Sequence, residues 1–412
     1  MRVLVIHSRF RERSGVESVV DTTIRLLRRK GVEAVLLTRD HGVSGLPRRA
    51  AAALEGFYSI SGYKLVCRAV SLHRPDVVHV HNLFPFFSPS ALTACRRCGV
   101  PVVMTLHSLR LECPAGRSVR EELDCRACWG GREYRCVLHN CRGSLPASFI
   151  YGLRAWTARH SGSFRDNVSM FIVLAEFARR RLVEAGFSDR DIMVIPNTVD
   201  APDSVADPAT GMYCAYAGRL RPEKGVQILL AAAARLPDVP IWLAGDGGRI
   251  ARLGMALPRN VRMLGRLDPS SLGDFYRGAR LAVVPSFCQD LGPMVALEAM
   301  AHGLPLIASR VGGLREMVVD GVTGLFVARG DPQDLAEKMK LLWQNPSLCR
   351  RMGAAARRRV LRAYGVEQYF RRLMAAYREA ILRGAVRRPF ERFRDQRFAS
   401  PDEQNRVSAA GL

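Results

Sequence analysis

The chain has 412 residues, of which 48% are hydrophobic and 24% charged, and its formal net charge is +24. This length predicts two to three domains, each large enough to bury a core of its own. The absence of any run of about 18 apolar residues argues against a membrane-spanning helix. The absence of helix-turn-helix, zinc-finger or aromatic-rich RNA motifs argues against a nucleic acid partner.

The positive charge is concentrated toward the two ends of the chain. Residues 1–200 hold 30 Lys and Arg against 18 Asp and Glu, and residues 350–398 hold 15 against 4. Residues 201–349 are nearly balanced, with 16 against 14. This distribution predicts that one half of the protein faces an anionic partner, either an anionic membrane surface or an anionic acceptor. A genome biased toward arginine is the simpler alternative, because nearly all of these cations are arginine.

Short apolar segments with β-forming residues alternate with longer helical patterns along most of the chain. The first segment, 3–7, is too short for a secretory signal and is soon interrupted by polar residues, so we expect a cytoplasmic protein.

The alternation of apolar segments with helical patterns predicts an α/β fold of two similar halves, each a parallel sheet covered on both faces. The predicted strands are 3–7, 34–38, 76–81, 101–106, 170–175 and 192–195 in the first half, and 213–217, 240–244, 261–264, 281–285, 304–308 and 325–327 in the second.

A polar stretch with two prolines, 197–211, separates the two halves and predicts a linker. A helical pattern follows the second half, and the charged, small-residue-rich end of the chain is expected to be mobile. The expected boundaries are 1–200 for an N-terminal domain, about 108–145 for a cysteine-rich insertion within it, 201–365 for a C-terminal domain, 366–385 for the helix and 386–412 for the tail.

Polar side chains lie at the carboxyl ends of two predicted strands in the first half. Alternation turns His79 and His81 to the same side of one strand, Asn82 follows them, and His107 ends the next strand. Open α/β sheets bind ligands at the carboxyl ends of their strands, so His81, Asn82 and His107 are candidates for a binding cleft. A lone histidine is more often structural, and packing is therefore the alternative for each.

Five of the eleven cysteines fall between residues 113 and 141, inside the predicted insertion. Their spacing, which includes one C-x-x-C, is typical of a metal site, so we expect a structural zinc ion. The expected ligands are Cys113, Cys125, Cys128 and Cys141, with Cys136 or His139 as substitutes. Disulfides are not expected in a reducing cytoplasm, and a loop with unbonded cysteines is the alternative.

The segment Gly218–Gly225 (G-R-L-R-P-E-K-G) places cations beside glycines where a predicted strand gives way to a helix. Glycine lets the backbone approach a ligand closely, and the start of the helix offers unpaired amides and a positive dipole end. Arg219 and Lys224 add two full positive charges. Such a group suits a diphosphate whose negative charge grows as it leaves a sugar.

The segment 290–298 (D-L-G-P-M-V-A-L-E) places two carboxylates at another strand-to-helix turn. Carboxylates accept hydrogen bonds from sugar hydroxyls, and the amides of a helix N-terminus donate to a bound sugar. Asp290 and Glu298 therefore complete a predicted site for a nucleotide-diphosphate sugar. The residues that form the turn and open the helix between them are Gly292, Pro293, Met294 and Val295.

These two segments, followed in order by E-A-M-A-H-G-L-P at 298–305 and V-G-G-L-R-E at 311–316, resemble the family 4 glycosyltransferases, which retain configuration and have the GT-B fold. The resemblance spans roughly residues 1–385. It implies two Rossmann-like domains facing each other across a cleft, with the helix at 366–385 crossing back onto the first domain.

The resemblance also implies roles for single residues. Gly218, Arg219 and Lys224 match the diphosphate-binding residues, and the helix start at 292–295 lies beside the donor. Glu298 matches the residue that binds the ribose, and Asp290 and His107 match positions near the donor sugar. Gly15 matches, less specifically, a glycine turn on the acceptor side of the cleft. Two residues depart from the family pattern: Asp290 replaces a glutamate, and Ser108 replaces an aspartate.

The implied activity is the transfer of a sugar from a nucleotide-diphosphate sugar to a hydroxyl acceptor, with no cofactor in catalysis. We expect a glycan or lipid-linked acceptor at the inner face of the cytoplasmic membrane, in the synthesis of capsule, exopolysaccharide, lipopolysaccharide or glycolipid. Two alternatives stay open. One is a catalytically degenerate GT-B scaffold that binds membranes or glycans. The other is a sugar phosphorylase, although only five lysines are present to anchor pyridoxal phosphate.

Overall fold

The computed structural model describes residues 1–9, 15–39, 55–84, 86–116, 118–120, 123–246 and 257–386. Within these ranges the strands form two parallel six-stranded sheets and one short antiparallel pair. The strands of the first half are β1 (Arg2–Ser8), β2 (Glu33–Arg39), β3 (Val77–Asn82), β4 (Val102–Leu106), the antiparallel pair β5 (Val119–Arg120) and β6 (Leu123–Asp124), β7 (Met170–Val173) and β8 (Ile192–Val194).

The strands of the second half are β9 (Tyr213–Ala217), β10 (Ile241–Ala244), β11 (Val261–Gly265), β12 (Ala279–Val284), β13 (Leu306–Ser309) and β14 (Gly324–Val327). Each of the twelve predicted strands is present, so the expectation of two parallel α/β halves is confirmed. The small pair β5–β6 in the insertion was not predicted, because two-residue strands leave no periodicity to detect.

The described helices connect these strands. They are α1 (Gly15–Arg29), α2 (Ile60–His73), α3 (Ser90–Arg97), α4 (Arg135–Leu138), α5 (Leu145–His160), α6 (Glu176–Glu184), α7 (Val226–Ala233), α8 (Pro269–Arg277), α9 (Met294–Ala301), α10 (Leu314–Met317), α11 (Pro332–Trp343), α12 (Pro346–Ala363) and α13 (Val366–Val386). None of them combines the length and apolar content that crossing a membrane requires.

Local sequence explains where some helices begin. The carboxylates of Asp268 and Asp331 accept hydrogen bonds from backbone amides of the first turns of α8 and α11, and a proline follows each aspartate. Aspartate at the N-cap followed by proline is a favoured start, because the side chain satisfies free amides and proline has no amide to satisfy. By contrast, α9 begins after Pro293 with no side-chain cap.

The strand order places a ligand crevice in each domain. The first sheet runs β2-β1-β3-β4-β7-β8 and the second runs β11-β10-β9-β12-β13-β14. In each, the chain first builds outward on one side of a central strand and then crosses to the other side. The crevice at such a reversal lies outside the carboxyl ends of the two central strands, here β1 and β3 in the first sheet and β9 and β12 in the second.

The terminal helix α13 packs on the first sheet. Its buried residues Leu373, Ala376 and Tyr377 share a hydrophobic core with Val5 and Val103 of that sheet. The Tyr377 hydroxyl also lies 2.7 Å from Nδ1 of His79. The helix therefore follows the second half in sequence but contributes to the core of the first. The tail expected to be mobile lies, apart from Val386, outside the described residues.

Candidate active site

The two loops that carry the predicted donor residues follow β9 and β12, the strands at the reversal of the second sheet. The backbone amides of Phe287 and Cys288 both donate to the carbonyl oxygen of Glu223, at 3.0 and 3.2 Å. The loop after β12 is thus hydrogen-bonded to the loop after β9. Two segments separated by about sixty residues in sequence therefore form one continuous wall of the crevice.

Gly225 is required at the junction of these loops. Its φ is +75°, and a Cβ atom there would lie 1.8 Å from the carbonyl oxygen of Pro285. A larger residue would both strain the backbone and push the two loops apart. Gly218, with φ of +143°, opens the same loop. The glycines of this motif therefore set the spacing of the wall.

Lys224 and Asp290 form an ion pair across the two loops. Their side chains are 19% and 30% exposed, so the pair lies at the crevice surface rather than in the core. Burial opposes the positive charge of Lys224, but the Asp290 carboxylate outweighs it and raises the pKa of Lys224 above its usual value. The lysine is therefore charged and in place to bind an anionic ligand.

Glu298 lies on the first turns of α9 and faces the interior of the crevice wall. Its Oε2 atom accepts a hydrogen bond from the hydroxyl of Tyr276, at 3.3 Å. Burial raises the pKa of Glu298, an effect that the Tyr276 hydrogen bond partly offsets. The amides of Met294 and Val295 are in the first turn of α9 and so have no intrahelical partner, and the N-cap residue Pro293 provides no side-chain cap for them.

Arg219 is not part of this arrangement. It is exposed. Among the described residues, its contacts are made through its backbone carbonyl, which accepts from the hydroxyl of Tyr216 at 3.2 Å and from the amide of Arg221 at 2.9 Å. The structure brings Lys224, Asp290 and the start of α9 together and leaves the Arg219 side chain in solvent near them.

Histidines line the facing edge of the first sheet. Nδ1 of His81 lies 2.9 Å from Nε2 of His107, and His107 is the more exposed of the two. Nε2 of His7, at the end of β1, lies 3.4 Å from the Glu17 carboxylate. Burial, with smaller contributions from the neighbouring histidines, lowers the pKa of His107 to about 3 and that of His81 well below its usual value. These imidazoles are therefore neutral hydrogen-bonding groups.

Sequence reasoning singled out His81 and His107 but missed His7 and Glu17. The sequence could have indicated His7, because His7 lies near the carboxyl end of β1 just as His81 lies near the carboxyl end of β3. The carboxyl ends of parallel strands meet at one edge of the sheet. His79 has a structural role instead, since its ring lies between Tyr377 and Thr105, at 2.7 and 2.8 Å.

The two remaining acceptor-side residues have different positions. The Asn82 amide donates to the carbonyl oxygens of Ser8 and Phe84, at 3.3 and 3.1 Å, and so shapes the turn after β3. Gly15 begins α1, and a Cβ atom there would lie 3.6 Å from Cγ of Met294. Gly15 therefore meets the start of α9 across the crevice. The neighbouring Arg13 and Ser14 lie outside the described residues.

Further contacts hold the two domains together at this crevice. The Glu316 carboxylate accepts from the amides of Glu176 and Phe177 at 2.8 and 2.9 Å, which caps α6 of the other domain. The Asn197 amide donates to the carbonyl of Gly292 at 2.9 Å. Glu316 belongs to the V-G-G-L-R-E motif, so this motif joins the domains in addition to supporting the Asp290 loop.

The cysteines of the insertion pack together without forming a complete metal site. Cys113, Cys128, Cys136 and Cys141 belong to one small cluster. Across the described ranges, however, no three His, Cys, Asp or Glu side chains are arranged to hold a metal ion. Cys136, expected only as a substitute ligand, lies in the cluster, whereas Cys125 does not.

Two family models match this chain: Glycosyltransferase Family 4 over residues 13–202 and Glycosyl transferases group 1 over residues 202–359. The chain belongs to glycosyltransferase family 4. D-inositol 3-phosphate glycosyltransferase 1 from Catenulispora acidiphila is 30% identical to it over 335 residues, 76% of this chain and 74% of that protein. Glycogen synthase from Mycobacterium tuberculosis is 32% identical over 302 residues, 70% of this chain. The match spans 64% of that synthase, less than two thirds of its length.

Solved structures share the fold of this chain. Sucrose-phosphate synthase from Thermosynechococcus elongatus superposes with a TM-score of 0.69 at 20% identity, covering 93% of this chain and all of that one. Anabaena HepE in complex with UDP-glucose gives 0.62 at 19% identity, covering 91% and 100%. The predicted GT-B fold is confirmed.

Proposed function

We propose that this glycosyltransferase moves a hexose from a nucleotide-diphosphate sugar to a hydroxyl acceptor with retention of configuration. The observation that carries the proposal is the Lys224–Asp290 pair beside the uncapped start of α9. A full positive charge and free helix amides suit a diphosphate, whose charge grows as it leaves. The HepE structure contains UDP-glucose, which makes uridine nucleotides the first donors to test.

In the proposed reaction, Lys224 exchanges the Asp290 carboxylate for the donor diphosphate, and Arg219 moves in from solvent to the same group. Asp290 is then free to accept from hexose hydroxyls, and Glu298 accepts from the ribose. The bond between the anomeric carbon and the phosphate oxygen breaks while the acceptor oxygen bonds to that carbon from the same face. The acceptor proton passes to the departing phosphate. His107, neutral and held by His81, donates to or accepts from the sugar hydroxyls.

A panel of UDP-, GDP- and ADP-sugars tests this proposal directly. We expect transfer or slow hydrolysis with at least one donor, and NMR of the product should show the anomeric configuration of the donor. Binding without turnover for every donor would instead favour the degenerate scaffold. No binding of any nucleotide diphosphate would contradict the donor site.

We further propose that the protein works at the surface of an anionic bilayer. Helix α5 presents Leu145, Phe149, Leu153 and Trp156, which are 37–59% exposed, at spacings of four, four and three residues. Tyr134 and Leu138 in and beside the neighbouring α4 are 55% and 72% exposed. Arg132 and Arg135 lie on either side of Tyr134 in the sequence. An apolar stripe flanked by cations is typical of a surface that inserts into anionic lipid headgroups.

Cosedimentation with vesicles tests the membrane proposal. The protein should bind vesicles of phosphatidylglycerol and phosphatidylcholine and should bind pure phosphatidylcholine weakly. Phe149→Ser with Trp156→Ser should lower binding at least tenfold, whereas Leu341→Ser, an exposed leucine of the other domain, should have no effect. Equal binding by both variants would contradict this surface.

We also propose that zinc binds the cysteine cluster of the insertion. Cys113, Cys128 and Cys141 lie in one cluster, although the described side chains are not arranged around an ion. With zinc bound, they would be three of its ligands, and either Cys125 or Cys136 would be the fourth. When bound, zinc would cross-link these thiolates and so hold the insertion in a fixed conformation. Its role is structural, because the cluster belongs to the insertion rather than to the Lys224–Asp290 wall.

A further inference from the structure

Three arginines of the first domain form a cationic cluster at the acceptor side of the crevice. Arg110 lies three residues after His107, at the end of β4. Arg142 and Arg154 come from the start of the α5 region and from α5 itself, and Cζ of each lies close to the Tyr151 ring, at 4.3 and 4.4 Å from its centroid. We call Arg110, Arg142 and Arg154 the arginine triad.

The triad is next to the polar edge that carries the histidines. Cζ of Arg154 lies 4.0 Å from the ring centroid of Phe84, and Phe84 is held by the Asn82 side chain at the end of β3. The insertion that carries Arg110 also reaches the donor wall, because Asp124 accepts from Gln289 and from Arg329. Through Arg154 and Phe84, the triad therefore lies near the carboxyl end of β3, one of the two strands that border the crevice of the first sheet.

The triad lacks the acidic partners that a structural cluster of this kind needs. Within the described ranges, none of its three guanidinium groups pairs with a carboxylate, while two nearby carboxylates are already taken. Glu112 pairs with Arg181 at 2.8 Å and Glu133 with Arg159 at 2.6 Å. The triad is thus a local excess of positive charge, not part of a balanced network.

Partial burial makes it energetically unfavourable to hold the three positive charges of the triad together without a bound anion. All three side chains are partly buried, and Nε of Arg142 is buried with no hydrogen-bond partner among the described residues. Burial, with a contribution from the charge of Arg110, lowers the pKa of Arg154 to about 10. Stacking on Phe84 and Tyr151 offsets only part of the repulsion. Like charges held together at such a cost are expected where an anion binds.

We propose that the arginine triad binds a phosphate or diphosphate group on the acceptor. This inference rests on the proposed transfer of a sugar to a hydroxyl acceptor and specifies that the acceptor carries this group. Planar guanidinium groups donate two parallel hydrogen bonds to phosphate oxygens, and an unused Nε–H is one such donor. The anionic group would orient the acceptor so that its hydroxyl reaches the hexose held at the donor wall.

Calorimetry with the full chain and saturating UDP tests the triad, because UDP occupies the donor diphosphate site. The probes are inorganic pyrophosphate, a hexose 1-phosphate and a short-chain polyprenyl diphosphate in micelles. We expect at least one phosphate compound to bind the wild type. Arg142→Gln and Arg154→Gln should each weaken that binding at least tenfold and leave UDP affinity unchanged. Arg142→Lys, which keeps the charge, should restore part of it.

Arg262→Gln is the matched control, because Arg262 lies over Trp242 at 4.9 Å in the other domain. It should leave phosphate binding unchanged. Tighter binding of the polyprenyl compound than of pyrophosphate identifies a lipid-linked acceptor, and equal or tighter binding of hexose 1-phosphate identifies a free one. Unchanged phosphate affinity in both glutamine variants, or no phosphate binding by wild type that still binds UDP, overturns the inference. Failure of wild type to bind UDP would instead reject the proposed donor site.

Discussion

Replacing Asp290 by Asn should make nucleotide binding tighter while making sugar transfer slower. Lys224 is paired with Asp290 in the structure, and a donor diphosphate has to break this pair before it can bind the lysine. The substitution removes the competing carboxylate and leaves Lys224 available. It also removes the group proposed to bind the hexose, so the same change should lower kcat with UDP-sugars.

The exposure of the pair sets the size of the effect. Ion pairs in full solvent contribute about 0.2–1 kcal/mol, and breaking a fully buried one costs about 3–5 kcal/mol. With side chains 19% and 30% exposed, the Lys224–Asp290 pair should contribute about 1–2 kcal/mol. UDP should therefore bind Asp290→Asn roughly 5- to 30-fold more tightly than wild type.

Asp290→Asn could tighten UDP binding in two ways: by freeing Lys224 from its ion pair, or by removing the repulsion between Asp290 and the phosphates. A double-mutant cycle separates these two effects. Calorimetry with UDP would compare wild type, Asp290→Asn, Lys224→Met and the double variant, with circular dichroism as the folding control. Lys224→Met should weaken UDP binding by a few kcal/mol. In the Lys224→Met background, Asp290→Asn should increase UDP affinity much less than it does in the wild type. An equal gain in both backgrounds, or weaker UDP binding by Asp290→Asn, would refute the exchange of partners.

Three further outcomes are expected. Glu298→Gln should weaken UMP and UDP binding by the same factor, about tenfold, because the proposed contact is to the ribose; a loss seen with UDP alone would contradict that role. The apparent melting temperature should fall as pH drops from 6.5 toward 3, because burial, with the charge of a neighbouring histidine, lowers the pKa of both His79 and His107 to about 3. Below pH 6.5 the unfolded chain binds more protons than the folded one, so each histidine lowers the free energy of unfolding by up to about 1.4 kcal/mol per pH unit. A melting temperature that does not change with pH would count against these buried neutral imidazoles. Metal analysis should find about one zinc per chain, lost in Cys128→Ser, and either Cys125→Ser or Cys136→Ser should lose it too; protein without zinc would dispose of the thiolate site.

The periodicity of the chain was enough to predict the architecture. Parallel strands buried on both faces are short, continuous apolar runs, and β4 is buried along its whole length. Such patterns are local, so all twelve strands could be located without tertiary information. The order of the glycine, cation and carboxylate motifs was also enough to indicate the family, because each motif is a contiguous segment.

What the sequence left open depends on contacts between distant segments. Lys224 and Asp290 were both expected near the donor, but their pairing depends on how the loops after β9 and β12 meet, and Arg219 turned out to be exposed. The structural role of His79 depends on Tyr377, 298 residues away.

The arginine triad shows the same limit most clearly. In the sequence, Arg110, Arg142 and Arg154 are three cations among many, with no shared motif or spacing. Only the folded chain places Arg154 over Phe84 and Tyr151, places Arg142 over the same Tyr151 ring, and pairs Glu112 and Glu133 with other arginines. Local patterns specify strands, helices and motif loops, because those depend on neighbouring residues. Which charges end up paired, buried or free depends on long-range packing, and the arginine triad is built from such contacts.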